Sequence, residues 1–598
     1  MNGGYKGQML HIDLSKKVIR EEQLDMGLAR AFIGGRGLGT KMLWDQMDAG
    51  EDPLSPGNLI MFLTGPLTGL VPGGSHTCLV FKSPLTEKTL GHPMSGGHWG
   101  PELKFAGYDG LIVKGKADNP VYIYIQDDTV EIRDAHHLWG KSPIETETLL
   151  KEEIRNPNIR VLSIGPAAEN LVRFAGVHHE YCHTAARGGG GCLMGSKKLK
   201  AVVVRGTHGI EVANPQEFYA ARTVLEGRLE AMRKARYGYW LSRWGAAINF
   251  STISDASDLD VKNHREGFWE DIDKLSVLKW EESCRVKSRS CFSCPIACLQ
   301  VGVIREGPHA GHFVTPKFDS TGTYGPGCLI TDLYGVVYLN ALAEDLGFDG
   351  ESMGIVTSFV MDCYEKGILT RSDLDGLDLR WGNVEAVAEL WHRIAKREGI
   401  GELLSMGVKK AAEKIGQGSE KFAMQVKGLE MGGYLAQTSS PRGLQYAVGD
   451  RGGCHHYGLD IAEQNFRAWV DSLTICSWHR PFVSREVYLK VLNGATGLDL
   501  EDEDWDRVAE RILIMARVYN IREGMTPLKD DVLPERVHTE PLTLGPKKGS
   551  YYPKEQFLRD RAEWYRERGC DTKGIPTREH LINLGLEFTI PTLKGLSI

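Results

Sequence analysis

The 598-residue chain lacks an apolar run long enough to cross a bilayer: its most apolar stretch, Leu59 to Val71, is broken by Gly65, Pro66 and Gly69. It also lacks an excess of positive charge. Its 71 basic residues are outnumbered by 78 acidic ones, a net charge of −7 with histidine neutral, which excludes a nucleic-acid binder driven by bulk charge. The opening residues, MNGGYKGQMLHIDL, show no basic leader followed by an apolar segment, so a cytoplasmic protein is expected. Cysteine is sparse. Twelve in such a length are too few for a disulfide scaffold, and in a reducing compartment clustered thiols read as ligands. Internal repeats and low-complexity segments are absent, and the length predicts two to four packed domains.

What the chain has in excess is glycine, 70 residues, without the triplet period of collagen. Much of it clusters in the first 210 residues, at Gly34 to Gly39, Gly65 to Gly69, Pro72 to Gly74, Ser95 to Gly97 and Arg187 to Gly191. Two of these loops fail the nucleotide-binding templates. Ser196 stands where a P-loop needs lysine, and Thr40 replaces the third glycine of the dinucleotide fingerprint. Each loop read singly is a turn; together, their exposed N–H groups make nests for phosphate-like anions. Between them lie strand patterns, Val121 to Asp134 around Asp127 and Asp128, and Leu199 to Gly206. From Asn214 onward the period turns helical, as in Ser352, Val356, Val360 and Tyr364. Lys547 to Pro553 reads as a linker ahead of a polar helix.

The sharpest local signal is Cys291-Phe-Ser-Cys294-Pro-Ile-Ala-Cys298. Three thiolates this close can face one centre only if the chain wraps around it, and a metal then offsets their charge. The order is the reverse of the radical-SAM spacing, and a zinc ribbon would need a second C-x2-C pair, whereas only Cys284 lies nearby. A [4Fe–4S] cluster needs a fourth ligand. Cys476 is the candidate, on the apolar face of a helical projection through Trp469 and Leu473, although a plain core cysteine fits that face too.

Glu344-Asp-Leu-Gly347-Phe-Asp349 reads as a helix stopping at Gly347 with Asp349 opening the next, so its acids are either caps or acceptors for a donor-rich ring. Asp471 precedes Cys476 by the five positions that separate Glu344 from Asp349, which hints at a two-fold site. In Arg451-Gly-Gly-Cys454-His455-His456, adjacent histidines on a helix or strand diverge, so at most one is expected to face a given site.

Taken with FIGGRGLGTK, TGPLTG, SGGHWGPELKFAGYDGLIVKGKA, ARGGGGCLMGSKKLKAVVVRGT, LGFD, RGGCH, VDSLTIC and GIPTREHLINLGLE, these motifs make the chain resemble, end to end, the tungsten-dependent aldehyde:ferredoxin oxidoreductase family. The resemblance implies an α+β fold: a β-rich bis-pterin-binding base at 1–210, then mainly helical domains at 211–430 and 431–598. It implies tungsten, less often molybdenum, held by two pyranopterins, a Mg2+ bridging their phosphates, and a [4Fe–4S] cluster on Cys291, Cys294, Cys298 and Cys476. Glu344, Asp349 and Asp471 match the pterin-bonding acids, Arg36 and Arg187 the pterin-binding base, and the carbonyls near Met94 and Ala185 the magnesium site. His455 and Asp319 match the histidine and the acid beside the metal. The chain departs from the family's usual residues with Met94 for asparagine, His76 for arginine, Glu344 for aspartate, Asp319 for glutamate and Thr474 for glycine, and its His455–Asp471 segment is short.

The implied reaction is aldehyde oxidation, with electrons leaving to ferredoxin or an iron–sulfur subunit in a homo- or hetero-oligomer; the small-molecule substrate is an aldehyde or an acyl compound. A dearomatising reductase of the benzoyl-CoA type is the enzymatic alternative, against which RGGCHH speaks. A cluster-bearing electron-transfer subunit without tungsten is the non-catalytic one.

Overall fold

A computed structural model describes residues 3–181 and 183–593. The architecture is α+β. The first sheet contains β1 (Gln8–Asp13), β2 (Val18–Gln23), β3 (Ile60–Leu63), β4 (Thr77–Lys82), β5 (Leu90–Gly91), β6 (Met94–Ser95) and β7 (Gly110–Lys114), in the order β2-β1-β7-β3-β4-β5 with β6 also on β4. Pairing is antiparallel except between β1 and β7. The second sheet, β8 (Val121–Gln126), β9 (Thr129–Asp134), β10 (Arg160–Ser163), β11 (Val177–His179), β12 (His183–Ala185) and β13 (Leu199–Arg205), runs β12-β11-β10-β13-β8-β9.

The run Ile60-Met-Phe-Leu63 is apolar throughout because both faces of its sheet are covered. Ile60, Phe62, Leu79, Phe81 and Leu111 pack into a core shared with the second sheet and the middle helices. Met61, Leu63, Val80 and Ile112 alternate into another, shared with helices Ile461–Leu473 and Asp502–Arg522. The strand-rich part is therefore held between two helical layers rather than beside one.

The helical part contains an antiparallel sheet of β14 (Arg285–Arg289), β15 (Leu299–Val303) and β16 (Phe313–Val314). The cysteine run is the loop between β14 and β15, so it is presented by a hairpin whose ladder fixes its ends. Lys547 to Pro553 is not a free linker: Tyr552 is 1% exposed, its N–H donates to Val537 O at 3.1 Å and its hydroxyl to Asp560. Among the described residues no helix is long and apolar enough to cross a membrane.

Candidate functional site

The base and the helical layers are stitched together at two acidic helix junctions. Helix Leu333–Leu346 stops where Gly347 turns left-handed, and Asp349 caps helix Gly350–Glu365 by accepting Glu351 N–H. The junction is pinned to the base: Gly176 N–H donates to Gly347 O at 3.0 Å, and Asp349 N–H to Phe174 O at 2.9 Å. Helix Ile461–Leu473 stops at Thr474, also left-handed with φ 54°, where the family's usual glycine would sit without strain. Here His76 N–H donates to Thr474 O and Cys476 N–H to Gly73 O, both at 3.1 Å.

That left-handed stop overturns the helical projection for Cys476, which leaves the helix and lies on the following loop. The loop carries its thiol to the other three. Burial raises the Cys476 thiol well above its ordinary value, and Cys298, Cys294 and Cys291 push it further; burial likewise lifts Cys291 to about 12, with Cys294 adding. Four largely desolvated thiols, all raised by burial and three of them also by neighbouring thiols, form a donor set that a cationic centre would relieve. Gly96 closes the pocket, since a Cβ there would come within 2.8 Å of Cys291 Sγ.

Beside the thiols lies a cavity of about 300 Å³. His76, Met94, Arg187, Asp319, Glu344, Asp349, Asp471 and Cys476 all line it, from segments separated by up to several hundred positions. Met94 on β6 and Ala185 on β12 belong to strands that pack together where the two sheets meet. Each acidic junction faces a buried arginine. Arg36, at the start of helix Gly35–Gln46, pairs with Asp450 and lies 3.5 Å from Asp471. Arg187, just before helix Gly190–Ser196, lies 2.7 Å from Glu351 and 3.7 Å from Asp349. The Nε atom of each is buried without a hydrogen-bond partner. Glu344 is engaged by Thr315 Oγ1 at 2.7 Å and Lys317 Nζ at 3.3 Å. Burial lowers His76 to about 4, so at neutral pH it does not supply the charge of the arginine it replaces.

A second cavity, of about 260 Å³, meets the first at Asp319, His456 and Trp478. His455 lies on it, its Nε2 3.0 Å from Asp319 Oδ1, with the ring of Tyr434 5.0 Å away and Phe318 beyond it. Burial alone would raise Asp319, but the hydrogen bond and charge of His455 hold its carboxyl far below the usual range. The expectation that only one histidine faces the site is wrong. Asp319, His455 and His456 converge with donor and acceptor atoms within 4.8 Å, because the pair sits in an irregular turn rather than on a helix or strand. Burial and the neighbouring His455 keep His456 neutral. Sequence reasoning also missed Glu351, whose only signal is its place two residues after a capping aspartate.

The α+β scaffold that carries this site is that of an oxidoreductase family. Residues 9–206 match the family model for the N-terminal domain of aldehyde ferredoxin oxidoreductase, and residues 224–586 that for its domains 2 and 3. The chain belongs to the aldehyde ferredoxin oxidoreductase family. It is 37% identical to the tungsten-containing aldehyde ferredoxin oxidoreductase of Pyrococcus horikoshii, over 98% of this chain and 99% of that one. It is 35% identical to the aliphatic sulfonate oxidoreductase WOR-like subunit of Pyrococcus furiosus, over 97% of each. It is also similar in fold to the active-site complex BamBC of benzoyl coenzyme A reductase with 1,5-dienoyl-CoA, with a TM-score of 0.85, 27% identity and 99% coverage of both chains.

Proposed function

We propose that this chain oxidises aldehydes to carboxylic acids and passes the electrons through a [4Fe–4S] cluster to ferredoxin or an iron–sulfur partner subunit in the cytoplasm. The observation that carries the reading is the Asp319–His455 pair at the mouth shared by two cavities, beside four convergent thiols.

The residues present fit the implied groups. Cys291, Cys294, Cys298 and Cys476 would hold the cluster, and their mutual destabilisation as thiolates is what iron ligation offsets. The unpartnered Nε atoms of Arg36 and Arg187 and Nδ1 of His76, with Glu344, Asp349 and Asp471, would bind two pyranopterins. The carbonyls near Met94 and Ala185 would take Mg2+. Tungsten, or molybdenum, held by the pterin sulfurs supplies a two-electron redox centre when bound.

What the chain does around that centre follows from charge. Aldehyde plus water gives acid, two protons and two electrons. His455 carries a proton up to about pH 9, so its N–H can stabilise the oxygen on which negative charge develops. Asp319 stays ionised and accepts a hydrogen bond from the entering water. Tyr434, Phe318 and Trp478 give the approach an aromatic wall, which suits an apolar aldehyde body. Ser293 and Pro295 are exposed and bring the cysteine loop to the surface, where electrons could leave. We also place domain limits near 210 and 430.

Anaerobically purified protein should contain one tungsten or molybdenum and about four irons per chain, the iron content of one [4Fe–4S] cluster. It should reduce viologen dye with aldehydes and should not reoxidise reduced viologen with an aromatic acyl-CoA. Iron without tungsten or molybdenum would overturn the reading in favour of an electron-transfer subunit.

A further inference from the structure

His455 stands between two carboxylates. Its Nε2 faces Asp319, and its Nδ1 lies 3.4 Å from Glu351 Oε1. Glu351 is 4% exposed, and its second oxygen accepts a hydrogen bond from Arg187 Nη1 at 2.7 Å. It occupies the first turn of helix Gly350–Glu365, where the helix dipole favours an anion. Gly432 makes the contact possible: a Cβ at this position would lie 2.5 Å from His455 Nδ1 and 2.6 Å from Glu351 Oε1. The neighbouring Tyr446 hydroxyl donates to the carbonyls of Gly432 and Tyr434 and does not compete for either atom.

We propose that Glu351 is a positioning residue that holds His455 as an imidazolium by charge contact on its Nδ1 side, leaving Nε2 to face Asp319 and the substrate oxygen. The proposal rests on the aldehyde-oxidising reading of the same pair. A carboxylate on each side of one ring, the inner one buried and the outer one partly exposed, favours its charged form, and Arg187 holds the inner one in place. The other groups around the ring do not supply that role. His456 is neutral, Tyr434 presents an aromatic face, and Arg442 lies over the Tyr434 ring on the far side. Accordingly, although burial opposes it, the carboxylates of Asp319 and Glu351 on its two sides raise His455 to about 9.

Exchange of the His455 Cε1 hydrogen for deuterium, followed by peptide mass spectrometry across pH, reads this protonation without needing activity. The holoenzyme should show a midpoint near 9. Glu351→Gln should lower it by a pH unit or more, and the alkaline limb of kcat/KM should move with it, a loss approaching about tenfold at a pH above the native midpoint. Glu351→Asp should restore part of the shift. Gly432→Ala separates the pair without removing a charge and should act like Glu351→Gln, which guards against a variant that fails to fold. Native and Glu351→Gln midpoints that coincide, or a native midpoint at the ordinary histidine value, would overturn the role of Glu351. A shifted midpoint in protein that oxidises no aldehyde would support that role and sink only the functional reading.

Discussion

The two arginine sites are built alike and end differently. Each arginine meets one acid at a helix junction and a second acid: Arg36 has Asp471 and, from another segment, Asp450; Arg187 has Asp349 and, two residues further on, Glu351. In each case the second acid turns its free oxygen to a histidine, His92 Nε2 at 3.0 Å from Asp450 and His455 Nδ1 at 3.4 Å from Glu351. The charge states are opposite. His92 is lowered, by burial first and by the nearby Arg36, whereas His455 is raised because a further carboxylate, Asp319, faces its other side. One architecture thus yields an inert histidine when a single acid is shared with arginine, and a cationic one when the histidine lies between two acids.

Several substitutions would break or sharpen this contrast. Cys476→Ser should have the largest effect, because it removes one of the four proposed cluster ligands; iron per chain and dye-linked activity should both collapse, as read by elemental analysis and assay. Asp319→Asn should next lower kcat by about 10² to 10⁴, the span expected for loss of an acid–base group, with metal content unchanged. Arg36→Met and Arg187→Met each strand buried carboxylates and should each cost about 3–5 kcal/mol in denaturant unfolding. Only Arg187→Met should also move the alkaline limb of the pH profile, and a shift in both would erase the contrast. His92→Gln should leave that limb where it is.

Stability should follow the same asymmetry. A group whose folded pKa is raised contributes fully below its unfolded value, here 6.5, and loses that contribution as pH rises through about 9. Denaturation midpoints measured at pH 6, 8 and 10 should therefore fall steadily from about pH 6.5 to about pH 9 in the native protein and less so in His455→Gln. Smallest of all, Thr474→Gly relieves a left-handed threonine but loses its buried hydroxyl contact with Thr68, so its net effect should stay within about 1 kcal/mol in the same measurement.

Several of these features could be read from the chain before any fold was known, and the reason is locality. The hairpin at Asp127 and Asp128, the stop at Gly347 and the cap at Asp349 each depend on a few consecutive residues, and each stands where its local pattern places it. The three-thiol loop is legible for the same reason. Cys476 was placed on a helix because nothing local in VDSLTIC marks Thr474 as a terminator; its left-handed turn is imposed by docking against the base. His456 was set aside by a periodicity argument that holds for helices and strands and fails in a turn.

By itself, the order of residues determined which side chains could do redox and acid–base chemistry, and which short segments would turn, cap or pair. Tertiary structure alone decided that Glu351 touches His455 while Asp450 touches His92, and so which histidine carries charge. Hydrogen bonds and desolvation act over a few ångströms, and here those ångströms separate residues about a hundred or more positions apart; only the packing of whole helices on the sheets brings them within reach.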